Sequence, residues 1–337
     1  LKTILIFGAT GTLGAYTSIY LKNLGYDVIA VGRRQNDNGF FKDYEINYFS
    51  IDVTQKKYFS KLKNIKINCV LHFSGDMPAN MSGYYPQKYI DSIITGTHNV
   101  LEFCVENSIH KIVFTQSRAD STHLMGSLNP VPSDIYKTFP LNTDHSIYAI
   151  CKNAAVDLIE HYFHKYGIKR FVLRLPTIYA YHPNPFFYVD GEKRLIAYRL
   201  IIEKAIRGEK IEIWGDPSKS KEITYIMDFC QVVEKSIVSD LSGGIYNIGR
   251  GVGVTLEEQI KGIIKIFSSQ DRISEIVYRP DKPDARQFIH DITKTQIELG
   301  YNPDFDYLLL LKEFKIEMQK ERFAKLWGRR SDYTNKY

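Results

Sequence analysis

The run Gly8-Ala-Thr-Gly11-Thr-Leu-Gly14, set directly behind Thr3-Ile-Leu-Ile-Phe7, constrains this chain more than any other feature. The apolar, β-branched run predicts a strand, and the apolar spacing of Leu13–Leu24 predicts a helix. Glycines at such a strand–helix junction allow positive φ and let the backbone approach a pyrophosphate, while the helix N-terminal amides face its negative charge. A tight turn with no ligand has the same glycines, so the spacing gains its meaning from the elements downstream of it.

Those elements alternate. Strands are predicted at Asp27–Val31, Ile46–Ile51, Cys69–Phe73, Lys111–Thr115 and Arg170–Leu173. Helices are predicted near Gln55–Leu62, Lys88–Asn107 and Ser146–Tyr166. This order implies an α/β fold, a doubly wound parallel sheet of Rossmann type that binds a dinucleotide. Beyond about residue 175 prolines and glycines loosen the pattern. Short strands at Ile211–Ile213 and Ile245–Ile248 mix with helices near Leu195–Ile206, Phe229–Ser239, Leu256–Phe267 and Leu308–Lys320. The expected division is a dinucleotide-binding domain over 1–175, rejoined by about 223–245, and a smaller mixed α/β substrate lobe over 176–222 and 246–337.

Composition excludes several classes. With 44% hydrophobic and 24% charged residues the chain is ordinary globular protein. No apolar run approaches the roughly 20 residues of a bilayer span, and Thr3–Phe7 meets the glycine loop too soon to be a signal-peptide core. A cytoplasmic protein is expected. Cys69, Cys104, Cys151 and Cys230 are far apart with no CxxC or Cys/His cluster, so neither a disulfide framework nor a metal site is expected. The net charge of +6 is scattered, apart from a basic stretch around Arg329-Arg330. It suits an anionic small substrate rather than a nucleic acid.

Within the cofactor loop, Gly8, Thr10, Gly11, Thr12, Leu13 and Gly14 are the candidate pyrophosphate contacts. After the second strand, Ala30-Val31-Gly32-Arg33-Arg34 lacks the acid that holds the adenosine ribose of NAD. Arg33 and Arg34 could grip a 2′-phosphate, which favours NADP over NAD, or be solvated loop charges. Asp52 and Val53, after the third strand, are placed to meet adenine, and Asp52 can also be a helix cap before Thr54.

Tyr148 and Lys152 share a helix face at i and i+4. A phenol of ordinary pKa near 10 is a poor base at neutral pH, but a neighbouring ammonium favours its ionised form. Ser117, after the fifth strand, could orient a substrate oxygen. The same spacing at Tyr84/Lys88 contains Pro86 and precedes the fifth strand, so it reads as a loop and helix start.

Taken in order, these motifs resemble the extended short-chain dehydrogenase/reductases of the nucleotide-sugar epimerase and dehydratase type. The resemblance also draws on Val70-Leu-His72-Phe-Ser-Gly75, Gly96-Thr97, Arg174–Tyr179, Lys221–Asp228, Tyr246–Gly251 and Asp291…Leu299–Pro303. It implies a Ser117/Tyr148/Lys152 triad, with Phe73, Ser74 and Gly75 lining the nicotinamide side. Lys221 and Arg286 would clamp a substrate diphosphate, and Thr177 would stand where many 4-epimerases carry a substrate-binding asparagine. It further implies a homodimer through the Lys88–Asn107 and Ser146–Tyr166 helices. The acids that 4,6-dehydratases carry after the fifth strand are replaced by Gln116-Ser117, which disfavours elimination. An epimerase and a ketoreductase acting on a nucleotide-diphosphate sugar both remain, as do a reductase of another carbonyl and a non-catalytic dinucleotide sensor.

Overall fold

The computed structural model describes residues 2–127, 130–143, 145–189 and 191–334. Its main sheet has seven strands: β1 (Thr3–Phe7), β2 (Asp27–Gly32), β3 (Asn47–Ser50), β4 (Cys69–His72), β5 (Lys111–Ser117), β6 (Lys169–Leu175) and β7 (Gly243–Asn247). They pair in the order β7-β6-β5-β4-β1-β2-β3, every pair parallel. Gly243–Asn247 lies in the looser half of the sequence, yet it closes the sheet beside β6, Tyr246 opposite Leu173. The second half of the sequence therefore supplies the main sheet's edge strand.

Side-chain alternation explains why both faces are covered. In β1, Ile4 and Ile6 enter one apolar cluster and Leu5 and Phe7 the other, all at 0% exposure. A strand apolar on both sides needs helices on both sides. Helix α1 (Thr12–Asn23) and α4 (Ile226–Val238) bury Tyr16, Ile19, Phe229 and Val232 in the first cluster. Helix α2 (Gly96–Glu106) and α3 (Ser146–Tyr166) bury Val100, Leu101, Cys151 and Ile159 in the second.

The stretch expected as one helix over Lys88–Asn107 is broken by a wide π-helical section, Ile90–Thr95, ahead of α2. A Cβ on Gly96 would sit 2.8 Å from Val53 Cγ2, so the helix approaches the end of β3 as only glycine permits. The four cysteines are buried and unpaired. No helix of the described residues is long and apolar enough to cross a membrane.

In the second half, Thr177–Tyr179 pairs with Ile223–Tyr225, Ile211–Trp214 with Ile276–Arg279, and Phe186–Val189 with Glu192–Leu195. Arg174, 1% exposed, ties the two halves together. It donates to both Asp120 oxygens at 2.9–3.1 Å, and at 2.9 Å each to the Ser133 carbonyl and Asn247 Oδ1. A buried charge is tolerable only with this degree of pairing, and the network fixes the segment that begins at Arg118.

Candidate active site

The chain reverses its progress across the sheet at β1, which lies between β4 and β2. Crevices at such switch points, outside the C-terminal strand ends, are where open α/β sheets take ligands. The glycine loop sits there. Gly8 has φ +85°, and a Cβ on it would lie 2.8 Å from the Phe73 and Ser74 backbone. A Cβ on Gly14 would lie 2.3 Å from the Gly8 carbonyl oxygen. Gly11 is different: its φ is −82° and a Cβ there would meet only the Gly8 oxygen at 3.4 Å. The protein itself does not need glycine at 11, so the space beside it is available to a ligand.

Gly11 caps α1 without a side-chain acceptor, and no acid stands in the first turn. The positive end of α1, over Thr12 and Leu13, thus faces the loop uncompensated. Thr10 packs under β2, its side chain 2.7 Å from where a Cβ of Gly32 would be. These residues fit a pyrophosphate.

Around that crevice the adenosine-side candidates have protein partners. Arg33 makes a two-pronged ion pair with Asp76, at 2.8 and 3.2 Å. Arg34 donates to the Leu326 carbonyl. Asp52 accepts from the Thr54 amide at 2.9 Å in a side-chain turn, and does not cap the Lys56–Leu62 helix, whose N-cap is Gln55. The Val53 carbonyl accepts from Asn99 Nδ2 at 2.8 Å. Phe73 turns its ring toward Phe229, 5.6 Å between centroids, while Gly75, at φ +150°, passes close to Ile93.

The C-terminal segment was not anticipated in this neighbourhood. Trp327 Nε1 donates to the Thr10 carbonyl at 2.8 Å, and its ring lies on Phe323 and His182, both 4.4 Å away. The basic pair beyond it is anchored too, Arg330 to Glu203 and Arg329 to Glu321.

Ser117 ends β5, and its Oγ accepts from the Ala119 amide at 3.1 Å. Tyr148 lies across from it on α3. Burial pushes the phenol up to about 12, a hydrogen bond with the Ser117 side chain pulls it down, and Tyr89 nearby pushes it up again. Tyr89, an unforeseen neighbour, packs edge-on at 6.0 Å. Lys152 is 6% exposed and spends its ammonium elsewhere than expected: Nζ donates to the Thr115 carbonyl at 2.6 Å and sits 4.3 Å from the Phe114 ring centroid. Burial lowers its pKa to about 7. The protein alone therefore favours the protonated phenol and makes its lysine neighbour much easier to deprotonate than an exposed one. Gln116, where dehydratases have acids, is 2% exposed and bonded to the Ser117 amide and to Asn153.

Next to Ser117 opens a cavity of about 290 Å³ lined by Arg118, Thr177, Lys221, Glu222, Arg286 and Phe288, with Met125 and Pro176. It brings together the three residues expected to hold substrate, Thr177, Lys221 and Arg286, from segments far apart in sequence. It adds a fourth, Arg118, that sequence reasoning missed. Glu222 makes no ion pair with these cations. Its carboxylate is 2% exposed and accepts from the Arg250 and Gly251 amides at 2.8 Å and bonds His290 Nδ1 at 2.6 Å. The glycine-rich turn at 249–253 is thus occupied by an internal acid. Burial lowers the pKa of Lys221, and the positive charge of Arg118 lowers it further.

A family model described as NAD dependent epimerase/dehydratase matches residues 4–249. A UDP-glucuronate 4-epimerase of Thermodesulfobacterium geofontis is 28% identical over 84% of this chain and 81% of its own. A UDP-glucose 4-epimerase of Halalkalibacterium halodurans is 24% identical over 94% and 96%. The Thermotoga maritima UDP-glucose 4-epimerase structure with UDP-glucose, 22% identical, superposes with a TM-score of 0.76 over 95% of this chain and 99% of that one. With the glycine loop, the sheet order and a family match spanning most of its length, this chain belongs to the NAD dependent epimerase/dehydratase family.

Proposed function

We propose that this protein moves a hydride on a nucleotide-diphosphate sugar, with Tyr148 as the acid/base. The observation that carries the reading is the cavity that gathers Lys221, Arg286 and Arg118, opening at the residue after Ser117, whose side chain is close enough to Tyr148 to pull its phenol pKa down. The cavity would hold the diphosphate through charge-assisted contacts. Ser117 would orient the reacting hydroxyl and Tyr148 would take or return its proton. When bound, the dinucleotide supplies the hydride acceptor at the sheet edge and a positive ring charge. Residues 1–175 with 223–245 form the cofactor unit, the remainder the substrate lobe, and the exposed Ile150 and Tyr166 on α3 mark the proposed dimer face.

Two outcomes share this chemistry. An epimerase reduces the keto sugar again from its other face, and a ketoreductase releases it as alcohol after one reduction. Similarity over most of the chain to proteins named as UDP-sugar 4-epimerases supports the first. Elimination of water is disfavoured because the acids are replaced by structural Gln116. The cofactor is NAD(P), and a preference for NADP rests on Arg33.

Tyr148→Phe is expected to lower kcat by about 10²–10⁴-fold on a UDP-hexose or UDP-hexuronate. The variant should keep cofactor and UDP binding. Full turnover in that variant, or no conversion or reduction of any nucleotide sugar by the wild type, overturns the assignment.

A further inference from the structure

The cavity holds one more cation than a diphosphate needs. A diphosphate diester carries about one negative charge on each phosphate, which Lys221 and Arg286 would match. Arg118 is the surplus, and its position differs from theirs. It follows Ser117 directly, so its Cα is about 3.8 Å from that of the residue marking the reacting carbon. Lys221 and Arg286 come from other segments of the lobe.

Arg118 is held in place and lacks an anionic partner among the described residues. The buried Arg174–Asp120 pair fixes its segment two residues on. Its guanidinium lies 5.9 Å from the Phe288 ring centroid, and one arm donates to Thr177 Oγ1 at 3.4 Å. Thr177, in accepting that bond, keeps its own hydroxyl proton to donate. Among the described residues the one acid lining the cavity, Glu222, is held by backbone amides and His290. A planar fork and a hydroxyl donor thus face the same space, and no carboxylate among the described residues pairs with the fork. That is the donor set a carboxylate of the ligand would satisfy in two-pronged fashion.

We propose that Arg118, supported by Thr177, reads a carboxylate on the sugar ring, so that the site takes a nucleotide-diphosphate uronic acid in preference to the uncharged sugar. In a hexuronic acid attached through C1, the carboxylate sits on C5, beside the C4 hydroxyl. A group next to Ser117 reaches it when C4 is the reacting carbon. This inference rests on the proposed nucleotide-sugar site and adds which sugar it selects.

The test is calorimetric binding of UDP, UDP-glucose and UDP-glucuronate to the full chain, wild type and variants. The wild type is expected to bind UDP-glucuronate at least tenfold more tightly than UDP-glucose. Arg118→Ala and Arg118→Gln should erase that ratio while UDP still binds. Arg118→Lys, which keeps charge but loses the fork, should retain only part of it. Equal affinity of the wild type for both sugars overturns the inference. So does a parallel loss on both sugars in the variants, which would make Arg118 a third diphosphate contact. If neither sugar nor UDP binds the wild type, the nucleotide-sugar reading itself falls. If Arg118→Ala fails to fold, the lysine variant decides alone, an unchanged ratio ruling the proposal out.

Discussion

The glycine loop and the cationic cavity lie at one edge of the same sheet but are made in opposite ways. The loop is seven consecutive residues whose backbone does the recognising. The cavity is assembled from residues that include 118, 177, 221 with 222, and 286 with 288, delivered by different segments. A backbone site tolerates little at the Cα and carries no side-chain charge of its own, whereas a side-chain site can be retuned one residue at a time. Within a shared fold, the first would stay constant while the second decides the substrate.

The hardest blow to this contrast comes from Gly14. An alanine there places its Cβ 2.3 Å from the Gly8 carbonyl oxygen and 2.6 Å from Ala9 Cα, both backbone atoms that cannot step aside. Gly14→Ala is expected to cost about 3 kcal/mol or more in urea unfolding and to abolish dinucleotide binding. Gly11→Ala separates folding from binding. Its Cβ meets nothing closer than 3.4 Å, so stability should change by about 1 kcal/mol or less. Dinucleotide affinity should nevertheless fall about a hundredfold, because the methyl fills the pyrophosphate space. Unchanged affinity in Gly11→Ala would show that the loop is only a turn.

The same contrast explains what could be read from the sequence. β1, α1, α3 and the Leu256–Phe267 helix are legible because their apolar periodicity is local, and the glycine loop because its residues are contiguous. Thr177, Lys221 and Arg286 were found through the order of family motifs, and the structure brings them into one cavity. Arg118 was not found, since a charged residue after a strand looks like surface. Its role depends on Thr177 and Phe288, which only folding brings near. Trp327 on Thr10 spans 317 positions, and Arg34 on Leu326 spans 292. No local pattern encodes such contacts. The sequence likewise shows that Lys152 shares a face with Tyr148 but not that its ammonium also bonds the Thr115 carbonyl.

Lys152 lies between the two regions and sharpens the comparison through pH. Its folded pKa is depressed by burial from the ordinary 10.5 to about 7. Between those values the unfolded chain binds more protons than the folded one, so stability rises as pH increases through the window and is lost as pH falls toward 7. The difference in unfolding free energy between wild type and Lys152→Met should change by about 2 kcal/mol from pH 7 to pH 9, the variant lacking this contribution. Taking the difference cancels other groups such as Lys111, whose pKa is lowered the same way. No pH dependence in the difference would mean that the ammonium is better solvated or paired than its bond to the Thr115 carbonyl provides.

Arg33 tests the one place where a side chain would decide matters at the backbone-built end. It is 59% exposed in its pair with Asp76, so the pair contributes about 0–1 kcal/mol to folding. Arg33→Ala should accordingly leave thermal stability nearly unchanged. A 2′-phosphate offers the guanidinium a charge-assisted contact of about 1.5–3 kcal/mol, from which release of Asp76 subtracts little. Arg34, held by the Leu326 carbonyl, is less free to move. The variant should thus weaken NADP by about tenfold relative to NAD, measured by fluorescence titration of both reduced forms. An unchanged NADP-to-NAD ratio would leave Arg33 as a latch to Asp76 alone. Adenosine recognition would then be as indifferent to side-chain charge as the glycine loop.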